Sequence, residues 1–282
     1  MSWRDLSEHA AAVLGPGNGS AREARHIVEA ASGLEGAAWE TGMDAPATRR
    51  GVAAVDAMVR RRCAGEPLQY VIGRWGFRTL DLMVDRRVLI PRPETEIVAE
   101  RALDELSRRR GPNLLAADLG TGSGAIALAL VSEEERVAVW ATDASGDALD
   151  GARANLAGTG RPAARVRLAR GSWFDALPPD LRGTLDVVVS NPPYVADHES
   201  LPRVVADWEP AHALVAGPEG TEAHDVIVGQ APDWLRPDGS LVLELAPHQA
   251  AAVTDLARDA GFGEVAVHAD LAGRDRVLVA RR

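Results

Sequence analysis

Two short stretches of this sequence carry residue types that can do chemistry. The first is Asp118-Leu119-Gly120-Thr121-Gly122-Ser123-Gly124, in which glycines alternate behind an acidic residue. Glycines let a backbone turn tightly and come close to a ligand, and a helix that follows offers unpaired N–H groups at its start. Asp143 stands about 20 residues on, a spacing at which a carboxylate closing the next strand can hold ribose hydroxyls. The second stretch is Asn191-Pro192-Pro193-Tyr194. An amide nitrogen is a poor nucleophile because its lone pair is delocalised into the carbonyl, so it must be held and aimed. The Asn191 side-chain oxygen and the Pro192 carbonyl are two acceptors suited to its two N–H groups, and they favour charge developing on that nitrogen. Pro192 and Pro193 fix φ and stiffen the loop. Tyr194 offers a face for stacking on a planar substrate and for nearby positive charge. Each stretch has a plainer reading, as a turn with no ligand or as a proline turn ending a buried strand. Their joint presence, in order and with Asp143, argues for a cofactor site beside a flat, nitrogen-bearing substrate.

Such residues need a scaffold, and the sequence from 113 onward supplies one. Short apolar runs at Leu114–Ala117, Val137–Thr142, Val166–Ala169, Leu185–Val189, Ser240–Leu245, Val265–His268 and Arg276–Val279 read as strands. Helical patterns fall between them, at 125–131, 147–156, 222–234 and 248–260. Strands apolar on both faces, alternating with helices, predict a mostly parallel α/β sheet. Both chemical stretches then sit at carboxyl ends of strands, where open sheets bind ligands.

Upstream, apolar residues recur at helical spacing through Leu6, Val13, Ile27, Val28, Val52, Val55 and Val59, which predicts a small helical bundle. Turns separate its helices at Gly15-Pro16-Gly17-Asn18-Gly19 and Gly42-Met43-Asp44-Ala45-Pro46. The bundle holds no chemical constellation. From Tyr70 to Leu89 aromatic and β-branched residues predict a hairpin, and Ile90-Pro91-Arg92-Pro93 ends it before a helix to about Arg109. The expected division is 1–69 helical, 70–92 linker hairpin and 93–282 catalytic domain.

Composition narrows the classes. A formal charge of −10 argues against a protein that lives on nucleic acid, since phosphate contacts supply much of that affinity. The basic runs Arg60-Arg61-Arg62 and Arg108-Arg109-Arg110 read as solvated helix ends. No apolar run reaches the roughly 18–20 residues that span a bilayer, and the start lacks a secretory pattern, so a cytoplasmic protein is expected. The single cysteine, Cys63, excludes an internal disulfide framework. The histidines show no metal-ligand spacing, and neither a metal nor a covalent nucleophile is expected.

Alternating glycines behind Asp118 resemble the first motif of class I methyltransferases, which bind S-adenosylmethionine. A dinucleotide-binding protein would space them G-x-G-x-x-G. Asn191 to Tyr194 resembles the signature of methyltransferases acting on planar-group nitrogen: adenine N6, guanine N2 or a glutamine amide. The likeness becomes specific with Gly65-Glu66-Pro67-Leu68-Gln69-Tyr70, Ile90-Pro91-Arg92-Pro93-Glu94-Thr95-Glu96, Glu209-Pro210 and Asp270-Leu271-Ala272-Gly273-Arg274-Asp275-Arg276. Together these resemble the glutamine-N5 methyltransferases of bacterial release factors, the HemK/PrmC family, over about residues 60–282. The resemblance implies a Rossmann-like methyltransferase domain behind an N-terminal bundle that grasps class 1 release factors. It implies that Gly120, Thr121, Gly122, Ser123 and Gly124 contact the methionine part of the cofactor, Asp143 the ribose and Trp173 the adenine. Asn191, Pro192, Pro193 and Tyr194 would hold the glutamine of a Gly-Gly-Gln motif, and Asn191 would also contact the cofactor. Family members often carry Asp where this chain has Ser172, whose hydroxyl partly replaces that acceptor. Arg92 and Glu94 either order the loop over the site or cap the next helix, and Glu209 either supports the structure or positions the catalytic loop. The rival readings are a nucleic-acid N-methyltransferase, a silent cofactor-binding scaffold and a nicotinamide-dependent enzyme.

Overall fold

Reciprocal capping opens the chain. Ser2 Oγ accepts from the Asp5 N–H, while Asp5 Oδ2 accepts from the Ser2 N–H at 2.7 Å, starting α1 (Trp3–Leu14). The computed structural model describes residues 1–16 and 19–282, so the centre of the expected turn at 15–19, Gly17-Asn18, lies outside the described residues. α2 (Ser20–Ser32), α3 (Ala37–Gly42), α4 (Arg49–Cys63) and α5 (Leu68–Ile72) follow. Leu6, Ile27, Val28, Val55 and Val71 form the core of these helices. Gly51 is required there, because a Cβ would lie 2.1 Å from the Trp3 ring. The arginines ending α4 do more than meet solvent: Arg61 pairs with Glu66 at 2.7 Å and Arg62 with Glu23 at 2.8 Å. Met1–Arg74 and Pro202–Trp208 cluster as one compact unit, Trp75–Leu201 and Glu209–Arg282 as a second.

The hairpin is shorter than its composition predicts. Pro67 starts α5 and Gly73, at φ +82°, stops it, so Tyr70 is helical. β1 (Arg74–Phe77) and β2 (Leu80–Met83) form the two-stranded remainder. Pro93 at the first turn, with Glu94 and Glu96 beside the helix N-terminus, opens α6 (Pro93–Arg108).

The second unit then alternates as its apolar runs require. β3 (Leu114–Leu119), α7 (Ala125–Glu133), β4 (Val137–Asp143), α8 (Gly146–Thr159), β5 (Val166–Arg170) and β6 (Leu185–Ser190) lead to the short pair β7 (Val195–Ala196) and β8 (Val215–Gly217). α9 (Arg203–Ala206), between those two strands in sequence, belongs to the first unit. α10 (Glu222–Trp234), β9 (Leu235–Glu244), α11 (Ala250–Asp259), β10 (Glu264–Ala269) and β11 (Asp275–Arg281) complete the chain.

Among the described residues the main sheet has seven strands in the order β10-β11-β9-β6-β3-β4-β5. β9, β6, β3, β4 and β5 run parallel, and β11 alone is reversed, pairing antiparallel with both β9 and β10, as the mostly parallel expectation requires. Two apolar layers cover the sheet, one through Val98, Leu106 and Leu128, the other through Ile227, Trp234 and Val253. Burial on both faces explains why the strands carry apolar runs and not alternating patterns.

Candidate active site

The chain leaves β3 toward β4 on one side and later returns to place β6 on the other, so β3 and β6 flank the point where the winding direction reverses. Open α/β sheets bind ligands at the carboxyl end of that point. Leu119 and Ser190, the last residues of β3 and β6, are register partners, and Ser190 Oγ donates to the Leu119 carbonyl at 2.6 Å. Gly120 and Asn191 are the next residues of each strand. Sheet register therefore joins two motifs about 70 residues apart. Thr142 is the β4 partner of Leu119, which brings Asp143 to the same edge.

A cavity of about 230 Å³ opens there, lined in part by Gly120, Thr121, Gly122, Ser123, Asp143, Trp173, Asn191 and Pro193. Gly120 and Gly122 have φ of +72° and +55°, a region in which side chains are strained. A Cβ on Gly120 would stand 3.4 Å from the Trp173 ring, so backbone and indole form one close wall. Trp173 itself holds φ +46°, a costly conformation for a residue with a side chain and one that collects at functional sites. Asp143 Oδ2 accepts from the Gly122 N–H at 2.9 Å and Oδ1 from the Ser145 N–H at 2.8 Å. Each carboxylate oxygen keeps capacity for a further donor. Ser172 also lines the cavity.

Three of the expected residues stand outside the lining. Gly124, at φ +83°, ends the turn and packs toward Ala152 of α8. Pro192 is buried behind the loop. Tyr194 turns its hydroxyl away, donating to Glu244 Oε1 at 3.1 Å, and its carbonyl accepts from Gln249 Nε2 at 2.9 Å. Beneath the glycine turn, Asp118 is fully buried; its Oδ2 accepts from Thr121 Oγ1 and the Ala127 N–H, while Oδ1 has no partner among the described residues. Desolvation pushes this carboxyl up to about 7.

Asn191 Nδ2 donates to Thr95 Oγ1 at 3.0 Å, and Thr95 Oγ1 donates to Glu244 Oε2 at 2.6 Å. With the Tyr194 bond, Glu244 closes a set of four side chains, of which Thr95 and Glu244 are buried. Burial raises the Glu244 carboxyl despite the Thr95 hydroxyl and the Arg276 charge, and raises the Tyr194 hydroxyl, which stays a donor. Nearby, Glu209 accepts from the Ile90 N–H at 3.1 Å and from Arg92 Nη2 at 2.5 Å. It thereby pins the segment whose Pro91 and Arg92 line the cavity. Glu94 pairs with Arg274 at 3.2 Å.

Neither Thr95 nor Glu244 was expected at the site. Thr95 lies inside the distinctive segment 90–96, but nothing local gives its partner. Glu244 does leave a trace: it is the one charged residue in Leu241-Val242-Leu243-Glu244-Leu245, and buried carboxylates need partners. Among the described residues no cluster of His, Cys, Asp and Glu is arranged for a metal ion, and no helix is long and apolar enough to cross a membrane.

Known proteins resemble this chain. The methyltransferase small domain model matches residues 99–209, and the PrmC N-terminal domain model matches residues 5–73. A release factor glutamine methyltransferase of Xylella fastidiosa (strain 9a5c) is 43% identical over 242 residues, covering 84% of either chain. The chain belongs to the release factor glutamine methyltransferases. A relative of the same name in Moorella thermoacetica is 45% identical over 228 residues, 79% of this chain and 78% of its own. The chain also shares its fold with a methyltransferase of Pyrococcus furiosus, at 20% identity and a TM-score of 0.51 over 72% of this chain and 89% of that one. Membership in the family implies use of S-adenosylmethionine.

Proposed function

We propose that this enzyme transfers the methyl group of S-adenosylmethionine to the side-chain amide nitrogen of the glutamine in the Gly-Gly-Gln motif of class 1 peptide chain release factors. One observation carries the reading beyond the family's name. Asn191 has its Nδ2 tied to Thr95, so its oxygen is the end left to face the cavity, beside the glycine turn. An acceptor is what an amide N–H needs.

The chain's residues fit the cofactor. The left-handed Gly120 and Gly122 clear space where side chains would intrude, Asp143 keeps acceptor capacity for hydroxyls, and the Trp173 ring offers a flat wall. Gly120 to Ser123 would hold the methionine part, Asp143 the ribose and Trp173 the adenine, with Gly124 closing the turn behind them and Ser172 in place of the more usual carboxylate. When bound, S-adenosylmethionine supplies an electrophilic methyl group. Asn191 Oδ1 and the Pro192 carbonyl receive the two N–H groups of the glutamine amide and hold its nitrogen in line. Pro192 and Pro193 keep those acceptors from relaxing, and Tyr194 braces the loop from below through Glu244. The proton lost on methylation passes to solvent; no side chain need act as a base, because a protonated N-alkyl amide is strongly acidic.

Residues 1–69 carry no chemistry and match the PrmC N-terminal domain, which supports their assignment to gripping the release factor, with 70–92 as linker and 93–282 as the catalytic domain. The net charge of −10 favours this substrate over the phosphate backbone of RNA or DNA. The test is labelled methyl transfer to purified release factor, beside the same factor with its Gly-Gly-Gln glutamine replaced and beside RNA and DNA. Label on the native factor alone is expected. Label on nucleic acid would keep the methyltransferase and overturn the substrate.

A further inference from the structure

The amide of Asn191 has two ends of similar size and opposite polarity. Rotation by half a turn would offer the cavity a donor in place of an acceptor, and a substrate amide N–H would then meet another N–H. Something must fix the choice, and the loop's own sequence does not. The bond from Asn191 Nδ2 reaches Thr95 Oγ1 at 3.0 Å. A threonine hydroxyl can accept or donate, so it selects an orientation only if its single proton is committed elsewhere. That proton lies on the 2.6 Å bond to Glu244 Oε2. Two hydroxyl donors and the Arg276 charge oppose the burial that raises the Glu244 carboxyl; while ionised it only accepts, and both Thr95 and Glu244 are buried at 5% and 1% exposure, where water cannot substitute. The other oxygen, Oε1, accepts from the Tyr194 hydroxyl at 3.1 Å, so one carboxylate holds both ends of Asn191–Tyr194. Arg276, itself buried, supplies favourable positive charge to Glu244.

We infer that Thr95 and Glu244 are positioning residues for methyl transfer: Glu244 commits the Thr95 hydroxyl proton, and Thr95 thereby turns the Asn191 carbonyl toward the substrate. Thr95 also lines the cavity and Glu244 does not; both act through Asn191. The inference rests on the catalytic role proposed for Asn191, but the polarity of the amide can be read without any substrate.

The experiment uses the full chain labelled with ¹⁵N-asparagine, which gives four side-chain amides, Asn18, Asn113, Asn155 and Asn191. The Asn191 signal is assigned by its absence in Asn191→Ala. Thr95→Val keeps the side-chain volume and removes the acceptor; Thr95→Ser restores it. Expected are a displaced Asn191 signal with faster hydrogen exchange in Thr95→Val, a near-native signal in Thr95→Ser, and kcat on release factor reduced on the order of 10- to 100-fold by Val and recovered by Ser. KM for S-adenosylmethionine should stay unchanged. Glu244→Gln should displace the same signal. An Asn191 amide that does not move in Thr95→Val overturns the inference whatever the activity, and so does a displaced amide with native kcat. If the wild-type chain methylates no release factor, the proposed function has failed, and the amide spectra alone then decide the orientation claim. A role confined to stability would lower Tm and leave both the signal and kcat in place.

Discussion

The two walls of the cavity are built by different means. The wall proposed for the cofactor is largely backbone: one contiguous turn, Gly120 to Gly124, held by hydrogen bonds to Asp143, Thr142, Asp118 and Asn155. The substrate wall is side-chain polarity assembled from distant parts of the chain, with Asn191 after β6, Thr95 on α6 and Glu244 at the end of β9. A backbone wall depends on what residues lack, and it fails when a Cβ is added. A side-chain wall depends on which atom faces which, and it fails when one partner loses its donor or acceptor. The first should govern cofactor affinity and the second turnover.

Separate failure of the two walls gives the strongest tests. Asn191→Ala should lower kcat by about 10³-fold, the scale of losing a group that acts at the reacting centre, and leave cofactor affinity intact. Isothermal titration with S-adenosylmethionine beside turnover assays measures both, and parallel losses would merge the two walls into one. Gly120→Ala should do the reverse. Its φ of +72° costs a side chain roughly 1–2 kcal/mol, and its Cβ would press on Trp173, so cofactor affinity should fall about tenfold. Turnover at saturating cofactor should be retained; a collapse of kcat instead would contradict the assignment.

A smaller effect concerns stability alone. The folded carboxyl of Asp118 titrates near 7, above its ordinary 3.8. A raised folded value means a stabilising contribution that is fully present below about pH 4 and lost as pH rises through about 7. The urea midpoint of the wild-type chain should therefore fall, relative to Asp118→Asn, between about pH 4 and pH 7. Parallel midpoints for the two proteins would show that the buried carboxyl is already ionised at the lower pH.

The same contrast explains what could be read before the structure. Strands were legible because burial on both faces leaves continuous apolar runs, and β3, β4, β5, β6, β10 and β11 all lie within a residue or two of their expected bounds. β9 starts earlier than expected, at Leu235, because the polar stretch Arg236-Pro237-Asp238-Gly239 interrupts its apolar pattern without interrupting the strand. The glycine turn was legible because its left-handed angles demand that residue type locally. Asn191, Pro192, Pro193 and Tyr194 were legible as a motif, but the direction of Tyr194 was not. Its hydroxyl answers to Glu244, whose position depends on how β9 pairs with β6. Thr95 stayed hidden for the same reason: its partners are 96 and 149 residues away. The ion pairs of Arg61 and Arg62 likewise turn a run that reads as a solvated helix end into a set of specific contacts.

The account's central claim is that the methyl group is placed on a planar amide nitrogen held by Asn191. The most direct measurement locates the methyl on release factor treated with the enzyme, by fragment mass spectrometry of the Gly-Gly-Gln peptide and by acid hydrolysis of the labelled product. The account predicts label on the glutamine side chain, released on hydrolysis as methylamine. Label on any other residue, or recovered as methanol after mild base, would contradict it.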